Sequence, residues 1–144
     1  MALIFGFSAQ TAAESSELSE GLVTVMLRTL MAQFRVLSPE AQEAWVQGLQ
    51  FIVRKSAHAA AYAVLAMLWL GTARTFAWRH PFLTAWGLTT VYAVTDELHQ
   101  LLVPGRSGEL RDVLIDSTGA LVGLLAVWAV LSLVHRLRHK KFIR

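Results

Sequence analysis

The chain has no cysteine, so it can build neither a disulfide framework nor a thiolate-ligated metal site. Charge is also scarce. Asp, Glu, Lys and Arg make up 16% of 144 residues, against about 25% in an ordinary soluble domain. The start of the chain lacks the basic segment of a signal peptide. Internal repeats and low-complexity tracts are missing too. What is abundant is hydrophobicity, at 55% of residues and a mean hydropathy of +0.48, which excludes a disordered chain. The length allows one domain, residues 1–144.

The apolar residues fall in blocks. Ser56 to Ala73 carries no Asp, Glu, Lys or Arg and is bounded by Arg54-Lys55 and Arg74. Phe82 to Thr95 is uncharged and reads on through Asp96 and Glu97 to Val103; Val113 to Val134 is broken only by Asp116. A spanning helix needs about 20 mostly apolar residues. The expectation is an all-α, multi-pass membrane bundle with three full transmembrane helices at 54–74, 79–103 and 112–135. The apolar stretch 1–9 reads as the remnant of a truncated first membrane helix. A soluble bundle is the competing reading, but burying Asp and Glu is no easier there.

Residues 14–53 read as interfacial helices. Leu22, Val23, Met26, Leu27, Leu30, Met31 and Phe34 recur at helical spacing, which predicts an amphipathic helix lying on the membrane. Ser38-Pro39-Glu40 has the signature of a helix start, with Trp45 as an interfacial anchor.

Lys and Arg in short loops set the orientation. The 136–144 tail holds Arg136, Arg138, Lys140, Lys141 and Arg144 without an acid, and the 74–81 loop holds Arg74 and Arg79 without one. Both are expected in the cytoplasm, with the protein in the bacterial inner membrane and its C-terminus cytoplasmic. The net charge of +3 is then mainly a topology signal, and no nucleic-acid partner is expected. Arg54-Lys55 and the 103–112 loop fall outside.

Polar residues beside the spans gather in that outer half. Arg54, Lys55, His58 and Tyr62 share one helix face; Asp96, Glu97, His99 and Gln100 end the next helix; Asp112 and Asp116 open the last. Pro104-Gly105-Arg106-Ser107-Gly108 is a turn between the two acidic segments. Intramembrane acids cost about 2.5–3.5 kcal/mol at mid-helix, so they need partners or a water-filled pocket. Gly119-x-x-x-Gly123 and the alanines at 57, 60, 61 and 63 read as close-packing surfaces.

Taken together, Arg54-Lys55-x-x-His58-x-x-x-Tyr62, Thr95-Asp96-Glu97-x-His99-Gln100, Pro104-Gly105-Arg106-Ser107 and Asp112-x-x-x-Asp116-x-x-Gly119 resemble the VanZ-like family of small bacterial membrane proteins. The resemblance implies a connection with tolerance to teicoplanin, a lipid-bearing glycopeptide acting outside the cytoplasmic membrane. Ala59 departs from the aromatic often found there in the family.

Three functions are open at this point. The first is a binding or shielding protein for a lipid-linked envelope precursor or an amphiphilic glycopeptide. Arg54, Lys55, Arg106 and Ser107 would meet its anionic or polar groups, and the acids, His58, Tyr62, His99 and Gln100 would meet the rest. The second is a membrane-embedded hydrolase or transferase acting on an envelope lipid, with His58, Asp96, Glu97, Asp112 and Asp116 as candidate acid–base groups. Neither HExxH nor a serine-nucleophile motif supports it, no cofactor is assigned, and a carboxylate–histidine metal site is left open. The third is a scaffold whose charges only assemble helices.

Overall fold

The structure is a computed structural model that describes residue 6 and residues 12–105 and 108–142. The expected remnant at 1–9 lies almost wholly outside the described residues. Every regular element described is helical: α1 (Ala12–Leu30), a 3-10 turn (Ala32–Val36), α2 (Pro39–Thr75), α3 (Pro81–Gln100) and α4 (Leu110–Phe142).

The start of α2 is the one its sequence announces. Ser38 is the N-cap, its hydroxyl accepting from Ala41 N at 3.3 Å, and Pro39 takes the first helical position. From there the helix runs 37 residues without a break, so the second interfacial helix and the first expected span are one element. At 1.5 Å per residue it is about 55 Å long, well beyond a hydrocarbon core of roughly 30 Å. Its end is a Schellman motif: Trp78 N donates to Ala73 O at 2.9 Å and Ala77 N to Arg74 O at 3.1 Å. Ala77 takes the left-handed conformation there, with φ 51°.

α3 is shorter than the expected 79–103. Pro81 opens it, and beyond Gln100 the chain closes into turns, Leu102 N donating to His99 O and Val103 N to Gln100 O. Pro104 disfavours helix at the residue before it. Gly105, at φ 77°, then takes a backbone conformation that suits glycine. α4 instead continues past the expected span, through the start of the basic segment, to Phe142.

α2 and α4 run parallel, with α3 antiparallel against both. The α2–α4 seam is closed by small residues. A Cβ on Gly119 would lie 2.8 Å from the Ala59 carbonyl carbon, and one on Gly123 would lie 2.9 Å from Ala63 Cβ. Two apolar clusters fill the bundle: Ala66, Leu70, Ala85, Ala120 and Leu124 toward the α2–α3 turn, and Tyr62, Leu65, Ala93 and Val113 toward the α3–α4 turn.

α1 and the 3-10 turn pack on the first part of α2, Val23 and Leu27 of the helix and Phe34 of the turn meeting Val46. The single apolar face expected for this segment is therefore split. Leu18, Leu22, Val25, Met26 and Leu30 form a second stripe that nothing among the described residues covers.

Candidate functional site

The parallel register of α2 and α4 sets residues 55–62 level with 112–116. The antiparallel return of α3 adds 92–100 at the same end. Lys55 Nζ pairs with Asp112 Oδ2. One turn along, His58 Nδ1 lies 4.0 Å from Asp116 Oδ2, and Asp116 is 1% exposed. A further turn along α2, Tyr62 is fully enclosed beside Asp96 and Asp116, with its ring 6.2 Å from that of Tyr92. Its hydroxyl faces the Asp96 carboxylate without completing a hydrogen bond.

The two neighbouring acids on α3 do different work. Glu97 uses both oxygens: Oε2 accepts from Glu109 N at 2.9 Å and Oε1 from Gln100 Nε2 at 3.1 Å, which ties the end of α3 to the entry of α4. Asp96 receives Gln100 Nε2 on Oδ2 at 3.3 Å, and its Oδ1 has no hydrogen-bond partner among the described residues. Asp112 Oδ1 and Asp116 Oδ2 are buried in the same condition.

The residues singled out from sequence thus divide. Lys55, His58, Tyr62, Asp96, Glu97, Gln100, Asp112 and Asp116 come together, and His99 lies half-buried on the same last turn of α3. Arg54 is half-buried but joins no ion pair among the described residues. Arg106 and Ser107 lie outside the described residues. Arg111, just before Asp112 in the first turn of α4, lies over the Phe51 ring at 5.3 Å. Among the described residues no group of His, Asp and Glu is arranged to hold a metal ion.

The distribution around this cluster is inside-out. Asp96, Glu97 and Asp116 are buried, while Leu68, Leu83, Val91, Leu98, Leu114 and Leu125 on the same three helices are more than half exposed. α2 and α4 are each long and apolar enough to cross a membrane. Water would penalise that arrangement and hydrocarbon favours it. A family model described as VanZ/LLP1 matches residues 1–133. The chain belongs to the VanZ/LLP1 family. Neither a curated protein nor a solved structure matches it.

In this VanZ-family membrane protein the structure also adds polar residues not singled out from sequence. Tyr92 stands one turn before Asp96, a spacing that places it on the same face. Ser117 receives α3: its hydroxyl lies 2.9 Å from Thr90 Oγ1 and its carbonyl accepts from Trp86 Nε1 at 3.2 Å. Trp86 is thereby a packing residue. A cavity of about 520 Å³ does not touch the carboxylates; it lies along the α2–α4 seam, with no contribution from α3.

Proposed function

We propose that this protein is a three-span binding protein of the bacterial cytoplasmic membrane. Its extracytoplasmic end would hold the headgroup of an amphiphilic envelope molecule, either a lipid-linked precursor or a lipid-bearing glycopeptide such as teicoplanin. One observation carries the reading. Tyr62 OH, Asp96 Oδ1, Asp112 Oδ1 and Asp116 Oδ2 are buried together without hydrogen-bond partners among the described residues. A buried polar group left unsatisfied costs about 1–3 kcal/mol. Hydroxyl, amide or ammonium hydrogens from a ligand would meet that need. α3, at 20 residues, has about the length of a hydrocarbon core. The acid-free 74–81 loop and basic C-terminal segment support a cytoplasmic position for both. α1 then lies in the outer interface, its uncovered stripe in lipid.

A scaffold role is the second reading, favoured by the Lys55–Asp112 pair and by the bonds of Glu97. Titration of teicoplanin and of a short-chain lipid-linked pyrophosphate into detergent-solubilised protein separates the two. The binding reading expects saturable binding to at least one ligand, weakened about tenfold or more (~1.4 kcal/mol) by Asp96→Asn or Asp116→Asn, without a fall in melting temperature. Absence of saturable binding to both ligands overturns it. Loss of folding in both variants, together with loss of folding in Asp112→Lys that Lys55→Asp restores, assigns the cluster to helix assembly.

A further inference from the structure

The cavity beside the α2–α4 seam has its own chemistry. Ala60 and Ala63 form one wall, and Leu114, Thr118 and Val122 form the other, with Arg111 at one end. From Arg111 to Val122 it follows α4 for three turns, about 16 Å at 1.5 Å per residue. The walls are apolar for nearly all of that length. The alanines supply only methyl groups, and the closed contacts of Gly119 with Ala59 and Gly123 with Ala63 keep the floor shallow. The groove opens on the flank of the two helices that are long and apolar enough to cross a membrane, so hydrocarbon is what faces it.

Arg111 marks the mouth. Its guanidinium lies 5.3 Å from the Phe51 ring centroid, and Lys55 Nζ lies 5.5 Å from the same centroid. Arg111 is exposed at the second position of α4 and makes no ion pair among the described residues. A cation without a counterion among the described residues, at the headgroup end of an apolar groove, is complementary to an anionic amphiphile. The volume argues for a chain over a helix. Three turns of a helix about 10 Å across would occupy roughly 1,200 Å³, more than the groove holds, and would ride over its rim. An extended alkyl chain fits between the alanine wall and the α4 wall.

We infer that this groove is a binding site for an anionic phospholipid, with one acyl chain along Ala60, Ala63, Leu114, Thr118 and Val122 and its phosphate against Arg111. The fork of the guanidinium suits two phosphate oxygens at once, and its contact with the Phe51 ring limits its freedom. The site does not depend on what the carboxylate cluster receives.

Native mass spectrometry of the full-length protein, released from detergent with added phosphatidylglycerol or phosphatidylcholine, tests this. One phosphatidylglycerol is expected to survive collisional activation that strips phosphatidylcholine. Arg111→Gln should lower phosphatidylglycerol retention at least fivefold, to the phosphatidylcholine level, and Arg111→Lys should keep part of the preference. Ala60→Leu, which fills the groove from an exposed position, should lower retention of both lipids. Equal retention of the two lipids by the parent protein overturns the inference, as does an unchanged preference in Arg111→Gln. A protein dimer that Ala60→Leu dissociates, with no lipid preference, also overturns it and gives the groove to a second copy of the chain.

Discussion

At the scale of single residues, the adjacent acids of α3 show how position decides role. Glu97 has both carboxylate oxygens engaged, one on the backbone N–H of Glu109. Glu97→Ala should therefore cost about 1–3 kcal/mol, read as a lower melting temperature in detergent, because that N–H loses its acceptor. Asp116 has the opposite situation, buried with Oδ2 unsatisfied. Asp116→Asn should raise the melting temperature or leave it unchanged, since burying a neutral amide is cheaper than burying a charge. A fall would favour a role in assembly. Sequence spacing was enough to collect Lys55, His58, Tyr62, Asp96 and Asp116, because helical phase and the order of the spans leave few other arrangements. Which cation would pair with Asp112 was not legible. Arg54, Lys55, Arg106 and Arg111 all lie within plausible reach by sequence, and successive residues on a helix point about 100° apart. Only the azimuth of α2 selects Lys55 and sends Arg111 to Phe51.

Among the elements, the seam between α2 and α4 is the most exacting contact. A methyl group on Gly119 would meet backbone atoms of Ala59, so Gly119→Ala should destabilise by about 1–3 kcal/mol and resist rescue by Ala59→Gly. Gly123→Ala meets the Ala63 Cβ and the Ala63 carbonyl oxygen, both at 2.9 Å, so Ala63→Gly should restore only part of the loss. Thermal melts of the single and double variants give both answers. At the other end of α2, Ala77→Gly should stabilise by about 1 kcal/mol by relieving the left-handed alanine of the Schellman turn. The start of α2 was legible because Ser38, Pro39 and Glu40 each suit a helix N-terminus. Its unbroken run to Thr75 was not, since the charges at Arg54 and Lys55 mark a change of environment and not a change of backbone. The split apolar face of α1 was hidden for a similar reason: periodicity says which residues share a side, not how much of that side a neighbour covers.

For the whole molecule, the exposed leucines and valines around a charged interior make lipid its solvent. The proposed orientation is open to direct measurement, because the chain has no cysteine to remove first. In intact cells a membrane-impermeant maleimide should label Pro104→Cys and spare Arg79→Cys; the reverse pattern would invert the topology. The way the three helices are joined has a further consequence for how a guest would enter. α2 and α4 interlock at the level of their backbones, through Gly119 against Ala59 and Gly123 against Ala63, and cannot part without losing that fit. α3 is held by the buried Ala85 and Ala93 in the two apolar clusters and by hydrogen bonds, at Trp86 and Thr90 to Ser117 and at Glu97 to Glu109, with no helix-to-helix glycine interlock of the α2–α4 kind among the described residues. A guest that had to part the helices to reach Asp96 would therefore have to shift α3, the helix that carries it, against the fixed pair of α2 and α4.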